Sequence, residues 1–391
     1  MEAPSGRLYP DATASSSGVP IVQGVAVGER QVAVDAMKLL DAQTAAILGG
    51  VGAFTIVQRP SLTEACCANV CERSNVYDVY DGLTGQHIFY AKERSHCCLR
   101  QLCSPRHSLF VELKPSPPQT PPTLLHRIDI DTLPTAMTME REGCPGRPCL
   151  GCCVLLPICK DGMYMHAGKL TGEAGQYKAL GPRCIGFASQ PHLGGGLAPT
   201  LNVMERAGGD GVSSSWNTLA KVEGPMCFGG LSELCCSSHF EVREPSTALH
   251  ALPRLSAPFH DPLRRLPVQV SSMGLSQINT PIGAGDVATI VKVRPTDLAG
   301  MAREAVTDAD VYSMQIRPQA RLAPQQKATL LGTQLLTDYM FFERNTPMCS
   351  GGGCNLCQIY CFGCTIPCAV GGQRNAPQAG FGGGAGFVAD Q

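Results

Sequence analysis

The sequence predicts a mainly β protein, a closed antiparallel barrel of about 12 strands wrapped around a C-terminal hydrophobic helix, with a disordered N-terminus and tail. Three observations predict it. Glycine (43) and proline (30) are dense in a chain of 391 residues, which favours many turns and few long helices. Short β-prone runs recur, each bounded by Gly, Pro or Cys-rich links. One clear helical pattern appears late, too apolar to stand in water and too short to cross a bilayer comfortably.

The elements follow in order. Residues 1–35 are rich in Ser, Gly, Ala and Pro and read as a disordered segment. A short helix fits 34–45. The apolar stretch 45–57 (AAILGGVGAFTIV) carries three glycines and is too short to span a membrane. Residues 75–80 and 86–91 flank Asp81-Gly82-Leu83-Thr84-Gly85 and predict a hairpin. Further β-prone runs are 108–113, 124–130, 136–140, 163–166, 183–188, 200–204, 217–222, 239–242 and 287–293. Taken alone they fit an antiparallel barrel or a sandwich. Residues 114–122 (KPSPPQTPP) read as a loop, and 243–285 as a long, mostly unstructured insertion.

The late helix covers 325–343, with Pro324 just before it. From Lys327 to Glu343 it reaches roughly 25 Å, short of a ~30 Å hydrocarbon layer. Asp338 would add about 2.5–3.5 kcal/mol near a bilayer centre. A barrel can shelter such a helix, and Leu331, Leu335, Leu336, Met340 and Phe341 are its expected buried residues.

Charge narrows the partners. Thirty-one basic and 32 acidic residues leave a net charge of -1. That excludes a strongly basic nucleic-acid binder and an acidic tail protein. Charged residues are only 16% of the chain, against about 25% in ordinary domains, which favours contact with apolar material. Residues 162–169 (GMYMHAGK) nearly spell a phosphate loop, but Leu170 replaces its Ser/Thr. No His-Glu-x-x-His or Gly-x-Ser-x-Gly occurs, so no covalent catalysis is expected.

There are 21 cysteines, an odd number, and no secretory signal opens the chain. A reducing compartment without lasting disulfides is expected. The remaining uses are packing, metal ligation or fatty thioesters. Adjacent pairs (Cys66-Cys67, Cys97-Cys98, Cys152-Cys153, Cys235-Cys236) diverge on a strand and seldom supply two ligands to one tetrahedral site. In the tail, Cys354, Cys357, Cys361, Cys364 and Cys368 step by 3, 4, 3 and 4, which on a helix puts them along one side. An acylated or membrane-lying stripe, a zinc-binding pair of pairs, and plain disorder all fit.

Residues 75–103 (NVYDVYDGLTGQHIFYAKERSHCCLRQLC) resemble the hairpin and cysteine run of the phospholipid scramblase family. Residues 303–314 (REAVTDADVYSM) and 338–343 (DYMFFE) resemble two further signatures, and 137–159 resembles its Cys-cluster segment. The resemblance runs from about residue 39 to 343. It implies a tubby-like fold, a closed barrel around the terminal helix, spanning 36–343 between the N-terminal segment 1–35 and a Cys- and Gly-rich tail 344–391. It implies Ca²⁺-dependent, ATP-independent, non-selective movement of membrane phospholipids between leaflets. It also implies palmitoyl thioesters and a place at the cytoplasmic face of the plasma membrane, acyl-anchored or single-pass. The Ca²⁺ loop would start at Asp308 and Asp310; the family's third acid falls among Gln319, Ala320 and Arg321, so any site is weak, ~10⁻⁴–10⁻³ M. Alternatively the two aspartates only turn the chain before a strand. The acylated cysteines would be Cys144, Cys149, Cys152, Cys153 and Cys159, in a cluster sparser than the family's. The family's nuclear-import segment would fall at 291–301, where only Lys292 and Arg294 are basic, so no nuclear role is expected. A membrane-tethered tubby-like adaptor without transport is the competing function.

Overall fold

The computed structural model describes residues 39–59, 74–103, 106–118, 120–144, 154, 156–177, 181–207, 215–230, 232, 238–245, 286–293, 311–342, 349–350 and 353–371. The N-terminal segment and nearly all of the 243–285 insertion lie outside them.

The chain begins, among these residues, with helix α1 (Ala42–Gly50), whose first turn is capped by Asp41 accepting from the Thr44 amide at 2.9 Å. Twelve strands then build the wall: β1 (Ala53–Gln58), β2 (Val76–Asp81), β3 (His87–Ser95), β4 (Leu109–Pro115), β5 (Met137–Arg141), β6 (Gly162–Ala167), β7 (Cys184–Ser189), β8 (Thr200–Arg206), β9 (Trp216–Glu223), β11 (His239–Arg243), β12 (Asp286–Lys292) and β13 (Val311–Ile316). The short β10 (Cys227–Phe228) lies outside the ring. Each wall strand pairs antiparallel with its neighbour. The ring closes where β1 lies between β2 and β13, with Phe54 opposite Asp81 on one side and Met314 on the other. Closure removes every free edge from the wall. One β-prone reading, 124–130, is revised. Residues 122–127 form a 3₁₀ helix (Pro122–Arg127) entered through Pro121, and its Leu125 packs with Tyr90 in a separate small cluster. The apolar stretch 45–57 divides at its glycines into α1 and β1.

Inside the ring runs helix α3 (Pro324–Thr337), continued by one π-helical turn, Asp338–Phe342. Leu330, Leu331, Leu335 and Leu336 are wholly buried, Phe341 and Met340 nearly so. The mainly β barrel around a C-terminal helix is therefore as the sequence predicts. The polar residues of the helix are accommodated locally. Thr329, Thr333 and Thr337 hydroxyls donate to the carbonyls of Gln325, Thr329 and Thr333 at 3.0, 2.8 and 2.9 Å. This four-residue back-bonding lets threonine sit in an apolar interior. Gln334 has no such solution: buried, it has no hydrogen-bond partner for either amide atom among the described residues. An unsatisfied buried polar group costs about 1–3 kcal/mol. Gln334→Met should therefore raise the urea midpoint; an unchanged or lowered midpoint would contradict this account of the site.

The helix approaches the wall most closely at β7. A Cβ on Gly186 would meet Thr329 Oγ1 at 2.3 Å and the Met204 carbonyl oxygen at 2.8 Å. Only hydrogen fits there. Overpacking a filled core costs about 1–3 kcal/mol, so Gly186→Ala should lower thermal stability measurably, read by the melting midpoint.

The tail departs from expectation. Residues 353–371 are neither helical nor irregular. They form β15 (Gly353–Cys361) and β16 (Cys364–Gly371), after the short β14 (Cys349–Ser350). β15 pairs with β10 through Cys227 and Ile359. The turn is Phe362-Gly363, both at positive φ (46° and 91°), as a two-residue hairpin loop requires. Ile359, Tyr360, Thr365 and Ile366 favour strand, and Pro367 is tolerated because β16 is an edge strand.

Candidate functional site

The helix is held at both ends by buried polar bonds. At its start, Gln326 Oε1 accepts from the Ala323 amide at 2.8 Å, and Gln326 Nε2 donates to Glu205 Oε2 at 2.6 Å. Lys327 Nζ donates to the carbonyls of Gly49 and Val51 at 2.9 and 2.7 Å. A cation there complements the carbonyl end of α1. Burial pulls the Lys327 ammonium below its ordinary value, against the opposing charge of Asp81.

At its far end the π-turn presents Asp338 and Tyr339 to β2 and β3. Tyr77 Oη donates to Asp338 Oδ2 at 3.2 Å, and Tyr339 Oη donates to Glu93 Oε2 at 3.2 Å. Glu93 is the hub. Its side chain is fully buried, with His107 Nε2 3.0 Å from Oε1 and the Asn75 amide donating to Oε2 at 3.2 Å. The Ser95 hydroxyl also donates to it. Arg100 reaches within 3.9 Å and itself donates to Ser95 Oγ at 2.6 Å. Arg141 lies over the Tyr339 ring at 5.7 Å while paired through two bonds with Asp161, at 3.1 and 2.6 Å. Helix α2 (Cys97–Cys103) follows this hub directly.

Electrostatics follow from these partners. Burial pushes the Glu93 carboxyl up, but the hydrogen bond and charge of His107, with Ser95 and Asn75, hold it below its usual value. Asp78, on β2, behaves alike: burial raises it, and His87 and Arg59 outweigh burial and lower it. Arg59 grips Asp78 in two bonds at 2.8 and 2.7 Å. A carboxylate with a depressed folded pKa contributes stability that is complete above its unfolded value and lost as pH falls through the folded one. The barrel should thus hold its urea midpoint near neutrality and lose it below about pH 4. Glu93→Gln should flatten that decline.

Of the expected site residues, Leu331, Leu335, Leu336, Met340 and Phe341 line the buried helix. Asp308, Asp310, Cys149, Cys152 and Cys153 lie outside the described residues. Ser313, three residues after Asp310, is buried within β13 between Thr55 and Val291. Two acylation candidates need correction. Cys144 is joined to Cys103, their Cα atoms 6.2 Å apart, because a bridge between His107 and Cys144 brings the two segments together. Cys159 is buried and disulfide-bonded. Neither presents a thiol to an acyltransferase in this structure. Cys227 and Cys357 are likewise joined, tying the tail hairpin to the barrel. The expected absence of disulfides is corrected on the same grounds. The tail cysteines share a side as strand residues rather than as a helical stripe: Cys357 stands opposite Cys368 and Cys361 opposite Cys364 across the hairpin, Cys357 is in the bond to Cys227, and Cys361, Cys364 and Cys368 are half-buried thiols.

Sequence reasoning missed Glu93, His107 and Tyr77 as partners of the helix. Glu93 and Asp338 lie in the two quoted segments 75–103 and 338–343, so the segments that carry the resemblance meet inside the barrel. Among the described residues, no helix is long and apolar enough to cross a membrane.

A closed β-barrel around a buried, polar-tethered helix is the class of protein this defines. Residues 274–344, which hold β12, β13, α3 and the π-turn, match the family model described as Scramblase. Over that stretch the chain is similar to the scramblase family. No curated protein and no solved structure matches the chain.

Proposed function

We propose that this protein is a membrane-anchored phospholipid scramblase, moving phospholipids between leaflets in both directions without ATP and stimulated by Ca²⁺. The observation that carries the reading is the family match over 274–344, which includes the acidic loop and the helix it precedes. No residue is assigned to covalent chemistry; the work is to lower the barrier for a head group to cross an apolar layer. Asp308 and Asp310 would supply Ca²⁺ with two carboxylates, a weak set for a cation that takes six to eight oxygens. Palmitoyl chains on Cys149, Cys152 and Cys153 would hold the protein at the cytoplasmic face of the plasma membrane. Two chains or more are needed for stable anchoring, at about 0.8 kcal/mol per buried CH₂.

The test is flux. Full-length protein in liposomes with fluorescent phospholipid should expose inner-leaflet label to a membrane-impermeant quencher, faster with millimolar Ca²⁺. Asp308→Asn with Asp310→Asn should remove the Ca²⁺ response and leave the Ca²⁺-free rate. No flux from membrane-bound protein would reject transport.

A second reading, a palmitoylated membrane-tethered adaptor of tubby-like fold, is favoured by one observation: the apolar helix is enclosed by the wall. It predicts membrane binding without flux.

A further inference from the structure

His96, Cys97 and Cys98 stand where β3 gives way to α2, and all three are exposed. Adjacent cysteines on a strand would diverge; at this helix start they do not. The two Sγ atoms are 3.8 Å apart, and one ligand atom from each of the three residues lies within 4.8 Å of the others. Both cysteines are thiols, not disulfide partners. Two sulfurs bound to one tetrahedral ion at about 2.3 Å are separated by about 3.8 Å. The pair therefore already stands at the separation a metal would impose.

The platform is fixed from both sides. The Arg100 amide donates to the His96 carbonyl at 3.0 Å, and the Arg100 side chain donates to the Ser95 carbonyl at 3.3 Å. At the other end of α2, Cys103 is bonded to Cys144. Neither anchor uses a candidate ligand.

We propose that His96, Cys97 and Cys98 form a surface site for a thiophilic d¹⁰ cation, Zn²⁺ or Cu⁺. Two thiolates and an imidazole suit such ions, and the absence of an oxygen ligand disfavours Ca²⁺ and Mg²⁺. Solvent exposure leaves a fourth position for water or an outside ligand. Each cysteine loses its proton to solvent as the ion binds, so uptake weakens on acidification. The site does not depend on the proposed lipid transport.

The experiment is a competition titration of metal-free, full-length protein, anaerobic and with its thiols reduced. Zn²⁺ is added against a chromophoric zinc chelator in one arm, Cu⁺ against a copper(I) chelator in the other. Because other cysteines also bind metal, the readout is a difference. The Cys97→Ser/Cys98→Ser variant should bind one equivalent less than wild type in at least one arm, which also identifies the ion. His96→Gln should weaken that equivalent about tenfold or more, with unchanged circular dichroism. Equal stoichiometry and affinity for wild type and the double variant in both arms would overturn the proposal.

Discussion

Glu93→Ala should destabilise the barrel by about 3–5 kcal/mol, the usual result of removing one partner from a buried charged pair. The effect is large because four donors converge on one carboxylate. His107, Ser95, the Asn75 amide and the Tyr339 hydroxyl all lose their acceptor together. His107 and Tyr339 cannot turn to water, since both are buried with Glu93, while Ser95 and Asn75 are only partly covered. Urea denaturation checks the magnitude. A double-mutant cycle with Tyr339→Phe isolates the link to the helix: the two effects should not add, because Tyr339 donates its hydroxyl to Glu93. Strict additivity would mean that the helix is not held through this carboxylate.

Phe341→Ala should cost a similar amount, about 3–5 kcal/mol, for a different reason. The ring stacks on Phe240 at 5.5 Å and meets Phe228 and Tyr360 edge-on at 5.6 and 6.0 Å. It therefore joins the helix to the wall and to the tail hairpin at once. Its removal leaves a void that three rigid rings cannot collapse to fill. Limited proteolysis should show faster cleavage in the tail hairpin as well as a lower melting midpoint. A lower midpoint with unchanged tail cleavage would separate the hairpin from the core.

These two residues show what the sequence made legible and what it did not. Phe341 was readable, because the helix is apolar over most of its surface and needs shelter. The β2–β3 hairpin was readable from Asp81 to Gly85, where the Asp81 carboxylate accepts from the Leu83 amide at 3.1 Å. Glu93 was not: its partners Tyr339 and His107 lie 246 and 14 residues away, and no local pattern encodes a hydrogen bond across a barrel. Residues 45–57 showed only that they are apolar and too short to span a membrane; such a run fits helix and strand alike, so its division into α1 and β1 was not legible. The tail cysteines misled because their 3-4 spacing matches a helix, while the strand-favouring residues between them decided the outcome. The pairing of Cys103 with Cys144 depends on a register that only the folded chain supplies.

Hydrogen–deuterium exchange on the full-length protein in water, without lipid or detergent, addresses the enclosed helix most directly. Amides of residues 328–337 should exchange among the slowest in the chain, at rates set by opening of the whole barrel. Exchange of those amides within seconds, while strands β3 to β8 stay protected, would mean that the helix lies outside the wall and would contradict the account.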